Sequence, residues 1–124
     1  MSDTSKTILV CDDEPIILEA VNYIIGKEGY NILNAENGEE SLKMARDNIP
    51  DLMLLDGNMP DKTGFEVCEI LKNDDATKGI CIVMFTANVQ ASDYERADKI
   101  GADGFIQKPF SPKELKLQLH KYLD

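Results

Sequence analysis

Five short apolar runs punctuate the chain at nearly even intervals, and polar or turn-forming residues follow each of them. Ile8 to Cys11, Leu52 to Leu55 and Ile80 to Phe85 are apolar throughout, the pattern of strands buried on both faces. Tyr30 to Ala35 and Gly104 to Gln107 are more polar or shorter and suit the edges of a sheet. Helical spacing fills the intervals. Asp12, Asp13, Glu14 and Pro15 lead into a helix that runs to about Gly29, with Ile17, Ala20, Val21, Ile24 and Ile25 on one face. Asn37 and Glu40 open a second helix in the manner of a capping box, with Leu42 and Ala45 in its stripe and an end before Pro50. Thr63 and Glu66 start a third that carries Phe65, Val67, Cys68, Ile70 and Leu71, and a polar loop over 73–79 follows. The short helix near 91–100 has only Tyr94, Ala97 and Ile100 as an apolar stripe, so it is predicted to be the least firmly held. Ser111, Pro112 and Glu114 suit the first positions of the last helix, whose stripe is Leu115, Leu119 and Tyr122. Leu117 lies off that stripe and, with His120, marks a candidate partner surface.

Strands alternating with helices, without an internal repeat or interior linker, predict one doubly wound α/β domain over residues 1–124, with a five-stranded parallel sheet of the flavodoxin-like kind. Apolar strands belong in the centre and polar ones at the edges, which the order 2-1-3-4-5 satisfies. Its switch point lies between the first and third strands. Asp12 and Asp13 follow the first strand and Asp56 follows the third, so all three are expected in one crevice.

Charge and cysteine usage narrow the function classes. A formal net charge of −10 opposes direct binding to nucleic acid or anionic membrane. No apolar run approaches the roughly 20 residues needed to span a bilayer, and the first residues lack a cationic start followed by an apolar core, so a cytoplasmic location is expected. Cys11, Cys68 and Cys81 lie within apolar runs at no metal-ligand spacing and read as small buried hydrophobes in a reducing compartment.

The chemistry centres on residues 50–64, where an apolar strand delivers Asp56 into a loop of Gly57, Asn58, Pro60, Asp61 and Gly64. Singly, each neighbour has an ordinary role: Asp12 or Asp13 as a helix cap, Thr86 as a strand-end hydroxyl, Lys108 as a solvated lysine before proline. Together they lie beyond the C-terminal ends of adjacent strands. Three clustered carboxylates repel one another unless a cation sits among them, and without His or thiolate nearby the site suits Mg²⁺ or Mn²⁺ better than zinc. A phosphoryl group bridging metal, Lys108 and the Thr86 hydroxyl would satisfy all these groups, with Asp56 as nucleophile.

These residues resemble the receiver domain of two-component response regulators over nearly the whole chain. The match rests on Asp12-Asp13 after the first strand, Asp56-Gly-Asn-Met-Pro-Asp-Lys-Thr-Gly after the third, Thr86-Ala87 after the fourth and Lys108-Pro109-Phe110 after the fifth. The resemblance implies phosphoryl transfer to Asp56 from a phosphohistidine on a sensor histidine kinase or a histidine phosphotransfer protein, with intrinsic autophosphorylation and autodephosphorylation. It implies Mg²⁺ held by Asp13, Asp56 and the Asn58 carbonyl, with Asp12 acting through a coordinated water. Lys108, Thr86 and the Ala87 amide would meet the phosphoryl oxygens, and Asn58 and Asn88 take the family's rate-tuning positions. Phe105 takes the position of its switch aromatic, although it serves equally as edge-strand core. A downstream protein target is expected on the face formed by the fourth helix, fifth strand and fifth helix.

Two departures stand out. Gly57 is smaller than the apolar residue often found after the acceptor, which predicts a site more open to water. The last helix lacks the arginines by which winged-helix regulators commonly dimerise, which favours a stand-alone receiver or one attached to a different output. The receiver portion of a longer regulator or hybrid kinase is the alternative. An aspartate-nucleophile phosphatase would want a second Asp where Asn58 stands, and a flavodoxin-like cofactor carrier would want a phosphate loop where the acidic residues stand.

Overall fold

The computed structural model describes residues 6–87 and 90–123. Five strands, β1 (Thr7–Cys11), β2 (Asn31–Ala35), β3 (Leu52–Leu55), β4 (Cys81–Thr86) and β5 (Gly104–Gln107), alternate with five helices, α1 (Pro15–Lys27), α2 (Gly38–Asn48), α3 (Gly64–Lys72), α4 (Ala91–Lys99) and α5 (Pro112–Leu123). The strands form one parallel sheet in the order β2-β1-β3-β4-β5. The predicted order is therefore the observed one.

Alternation along each strand divides the core into two layers. Leu9, Cys11, Met53, Leu55, Ile82 and Met84 face α2, α3 and α4, while Ile8, Val10, Leu52, Leu54, Val83 and Phe85 face α1 and α5. Helices on both faces are what make the central strands apolar throughout. The polar edge strand is tolerated because Asn34 of β2 exchanges two amide hydrogen bonds with Asn22 of α1, at 2.8 and 3.0 Å.

Local capping is as predicted in α3 and α5. Thr63 accepts from the Glu66 amide while Glu66 accepts from the Thr63 amide, and Ser111 and Glu114 do the same for α5. In α2, Asn37 accepts from the Glu40 amide, but the Glu40 carboxylate reaches back one residue further, to the Glu36 amide. Gly29 has a φ of +86° just beyond α1, the left-handed stop expected there.

Some expectations need correction. Leu18 is buried and Ala20 exposed in α1, so its apolar face is rotated from the predicted one. Ile70 turns outward, and Cys81 is half-buried where full burial was expected. Asp12, Asp13 and Glu14 precede α1 and none of them caps it through its side chain. In α4, Ala97 is the one buried residue and Tyr94 is exposed, which agrees with a loosely held helix. Leu117 is exposed as predicted, whereas His120 points to α1, hydrogen-bonded to Glu28 at 2.8 Å.

The sheet pole away from the strand C-termini is tied by Lys72. Its ammonium donates to the Lys78 and Ile80 carbonyls at 3.1 and 2.7 Å and to Asp103 at 2.8 Å. The same Asp103 oxygen accepts from the Ile82 amide, and the Tyr122 hydroxyl donates to the Asp103 carbonyl.

Pro50 disfavours the right-handed helical conformation at Ile49, and the chain leaves α2 with Ile49 at φ 42°, ψ 66°. A β-branched residue there is strained by roughly 1–2 kcal/mol. Ile49 is also half-exposed, so little packing is lost on truncation. Ile49→Gly is expected to stabilise the fold by about 1 kcal/mol, a rise of a few degrees in melting temperature. A thermal melt at or below the parent's would contradict this reading of the turn.

Candidate functional site

Sheet pairing continues past the strand ends and fixes where the site residues leave. The Asp12 amide donates to Ala35, the Asp56 amide to Cys11 and the Lys108 amide to Thr86, at 3.0, 3.0 and 2.8 Å. Asp12, Asp13, Asp56 and Lys108 therefore emerge at the same end of neighbouring strands. Candidate ligand atoms of the three aspartates lie within 4.8 Å of one another. Asp12 and Asp56 are buried and Asp13 is exposed.

Lys108 lies across this group. Its ammonium is 2.6 Å from Asp12, 3.7 Å from Asp56 and 3.8 Å from Glu14, and it rests over the Phe85 ring at 4.7 Å. The other Asp12 oxygen accepts from the Glu14 amide at 2.9 Å. Asp12 is thus held from both sides. Asp56 is less well served: its nearest backbone donor is the Asn58 amide at 3.3 Å. Burial pushes the Asp56 carboxyl up to about 6, Lys108 pulls it down, and Asp12 and Asp13 add repulsion.

The β3–α3 loop closes tightly around Asp56. The Gly64 amide donates to the Gly57 carbonyl at 3.1 Å, and Asn58 bridges Thr63. A β-carbon on Gly64 would lie 2.0 Å from the Asp56 carbonyl oxygen, so only glycine lets α3 start this close to the acceptor. The space that a Gly57 side chain would take is filled by the Phe65 ring and the Thr86 hydroxyl, each 3.1 Å from its would-be β-carbon. Gly57 is buried, so the predicted opening to water on that side is closed by its neighbours.

Thr86 is buried, and its hydroxyl accepts from the Asn58 side-chain amide at 3.3 Å. Ala87 follows at the exposed start of the β4–α4 connection, whereas Asn88, the other rate-tuning candidate, lies outside the described residues. Phe105 is half-buried on β5 and stacks on Tyr94 of α4 with 4.5 Å between ring centroids. It stands away from the carboxylate group, packed against the edge of the core that faces α2, α3 and α4.

Sequence reasoning missed three neighbours. Glu14 shares Lys108, Phe85 supports its ammonium, and Arg96 of α4 covers the Phe65 ring at 4.7 Å. Glu14 was legible as the third acid after β1. The ring contacts had no signal in spacing, because each joins elements far apart in the chain. An apolar groove of about 410 Å³ also opens beside Lys108, lined by Ile17, Ala20, Ile24, Pro109 and Phe110.

Residues 8–120 match the family described as the response regulator receiver domain. The phosphate regulon transcriptional regulatory protein PhoB of Pseudomonas aeruginosa is 40% identical over 118 residues, which cover 95% of this chain and 52% of that protein. The alkaline phosphatase synthesis transcriptional regulatory protein PhoP of Bacillus subtilis is 37% identical over 119 residues, 96% of this chain and 49% of that protein. This chain thus spans about half the length of the curated relatives it matches. Among solved structures, the chemotaxis protein CheY4 of Vibrio cholerae superposes with a TM-score of 0.91 at 29% identity, covering 97% of this chain and all of that one.

The crowding of Asp56 has a measurable cost. A carboxyl raised from 3.8 to about 6 in the fold disfavours the folded state by roughly 3 kcal/mol once ionised, at about 1.4 kcal/mol per pH unit. That cost is fully present above pH 6 and is released as pH falls from about 6 toward 3.8. Asp56→Asn in chelator is therefore expected to be more stable than the parent by about 1–3 kcal/mol at pH 7.5. The advantage should disappear near pH 4. Denaturant melts across that range check it, and a difference that stays flat with pH would refute the electrostatic origin.

Proposed function

Because this chain belongs to the response regulator receiver domain family, we propose that it accepts a phosphoryl group on Asp56 from a phosphohistidine of a sensor histidine kinase or histidine phosphotransfer protein. The observation that carries this reading is the position of Asp56: 3.7 Å from the Lys108 ammonium and within 4.8 Å of two further carboxylates. Lys108 neutralises Asp12 at 2.6 Å but leaves Asp13 and Asp56 with excess negative charge. Those two carboxylates fit a hard divalent cation, Mg²⁺ or Mn²⁺, held with the Asn58 carbonyl and with Asp12 through water. When bound, the ion offsets the charge of the incoming phosphoryl oxygens.

An Asp56 oxygen attacks phosphorus, the phosphorus–nitrogen bond to the donor imidazolium, protonated on its other ring nitrogen, breaks, and an acyl phosphate forms while the imidazole leaves neutral. Lys108 need shift its ammonium only slightly from Asp12 to meet a phosphoryl oxygen. Thr86 leaves the Asn58 amide to hydrogen-bond the same group, and the Ala87 amide lies next along the chain. Asn58, with Asn88, positions the water that later hydrolyses the acyl phosphate. Withdrawal of Thr86 gives Phe105 room to turn inward from Tyr94, which alters the face made by α4, β5 and α5, the surface offered to a downstream protein. The apolar groove beside Lys108 borders the route to Asp56 and gives the donor protein a footing there.

Incubation with Mg²⁺ and a small acyl or amidate phosphodonor is expected to add one phosphate, read by intact-mass spectrometry. Unchanged labelling of Asp56→Asn, or labelling that survives excess chelator, would overturn the assignment. Lys108→Ala is expected to bind Mg²⁺ at least as well as the parent, since a competing cation is gone. It should nonetheless lose the phosphorylation-dependent change in amide exchange over residues 91–107. An exchange response equal to the parent's would remove Lys108 from the phosphoryl contact.

A further inference from the structure

The loop that follows Asp56 is anchored at its tip to a helix outside the site. The Asp61 carboxylate accepts from the Gly38 amide at 2.6 Å with one oxygen and from the Glu39 amide at 2.9 Å with the other. These are the first two amides of α2, and Asn37 takes the third, that of Glu40. A helix start normally finds its acceptor in the residue just before it. Here two of its donors are met by a residue 23 and 22 positions away.

Further contacts reinforce the anchor. Lys62 pairs with Glu39 at 2.9 Å, and its stem lies against Gly38, where a β-carbon would be 2.6 Å from that of Lys62. Met59 is buried beneath the loop, in contact with the Ser41 hydroxyl of α2. Asn58 stands between this anchored tip and the base of the loop, where Gly64 bonds Gly57 and Thr63 bridges Asn58. At its base the loop is fixed as one unit, by α3 and by the Asn58 side-chain amide bonded to the Thr86 hydroxyl at 3.3 Å. The Asp61 bonds supply the second fixed point.

We infer that Asp61 is a positioning residue for the metal site: by capping α2 it holds the β3–α3 loop so that the Asn58 carbonyl and the Asp56 carboxylate are presented together to the divalent cation. This rests on the phosphoacceptor reading above. Carboxylate bonds to backbone amides at a helix start are charge-assisted and directional, so the loop is fixed before the cation arrives. Without them, binding must first order the loop.

The test is an NMR titration of Mg²⁺ into ¹⁵N-labelled protein, following the Gly57 and Asn58 amides. Asp61→Ala is expected to weaken Mg²⁺ binding about tenfold, the lower range for loss of an outer-sphere support. In chelator it should also speed amide exchange at Asn58 and Thr63. Asp61→Asn keeps an acceptor oxygen and should stay within about threefold of the parent, well short of the alanine variant. Asp51→Ala removes the same charge and another carboxylate–amide strap, the 2.8 Å bond to the Thr7 amide at the opposite pole. It should lower the melting temperature and leave Mg²⁺ affinity unchanged.

An Asp61→Ala protein that is less stable but binds Mg²⁺ like the parent would reduce Asp61 to a helix cap and overturn the inference. So would an Asp61→Asn protein as weak as the alanine variant, because charge and not position would then be responsible. A parent whose titration is unaffected by Asp13→Asn would overturn the metal-site reading itself, and this inference with it.

Discussion

One ammonium reconciles the carboxylates at the mouth of the sheet. Lys108 enters from β5, its side chain almost fully buried, and meets Asp12 at the end of β1 at 2.6 Å, so the two outermost residues of the site are linked across the central strands. Asp12 is fully buried, and its carboxylate has that ammonium as its partner. Geometry prevents the same lysine from serving Asp56 equally well, at 3.7 Å. The resting protein therefore keeps excess negative charge at its centre, which a bound cation would offset.

That imbalance also explains why the acceptor loop is built so tightly. Gly64 brings α3 against the Asp56 carbonyl, Gly57 admits Phe65 and Thr86, and Arg96 lies over Phe65 from α4. The acceptor loop is thereby linked, through Phe65 and Arg96, to the helix that has the weakest hold on the core. A change in the Thr86 hydroxyl is felt first where resistance is lowest.

Much of this was readable in the chain because its causes are local. The strands came from short runs of apolar and β-forming residues and agree within one residue at every end, and the caps of α3 and α5 came from side chains three residues apart. Asp12, Asp13, Asp56, Thr86 and Lys108 could be grouped because each lies at or just past the C-terminal end of a strand, and a parallel sheet brings those ends together. What escaped was set by packing between distant segments. The face of α1 was misjudged because Leu18 and Ala20 both fit helical spacing, and only packing in the folded domain decides between them. Gly57 was read as an opening because nothing in its own neighbourhood announces that Phe65 and Thr86 occupy the space. The Asp61 cap joins residues more than twenty positions apart, so no short motif records it.

The Lys72 knot at the far pole has its own consequence. Lys72, Asp103 and Tyr122 fasten the start of β4, the start of β5 and the end of α5 to one point. The hydrogen bonds there resist displacement, while Thr86, at the other end of β4, leads toward α4, the helix with the fewest buried side chains. The base of the domain is thus a fixed frame, and the part that yields is its flank.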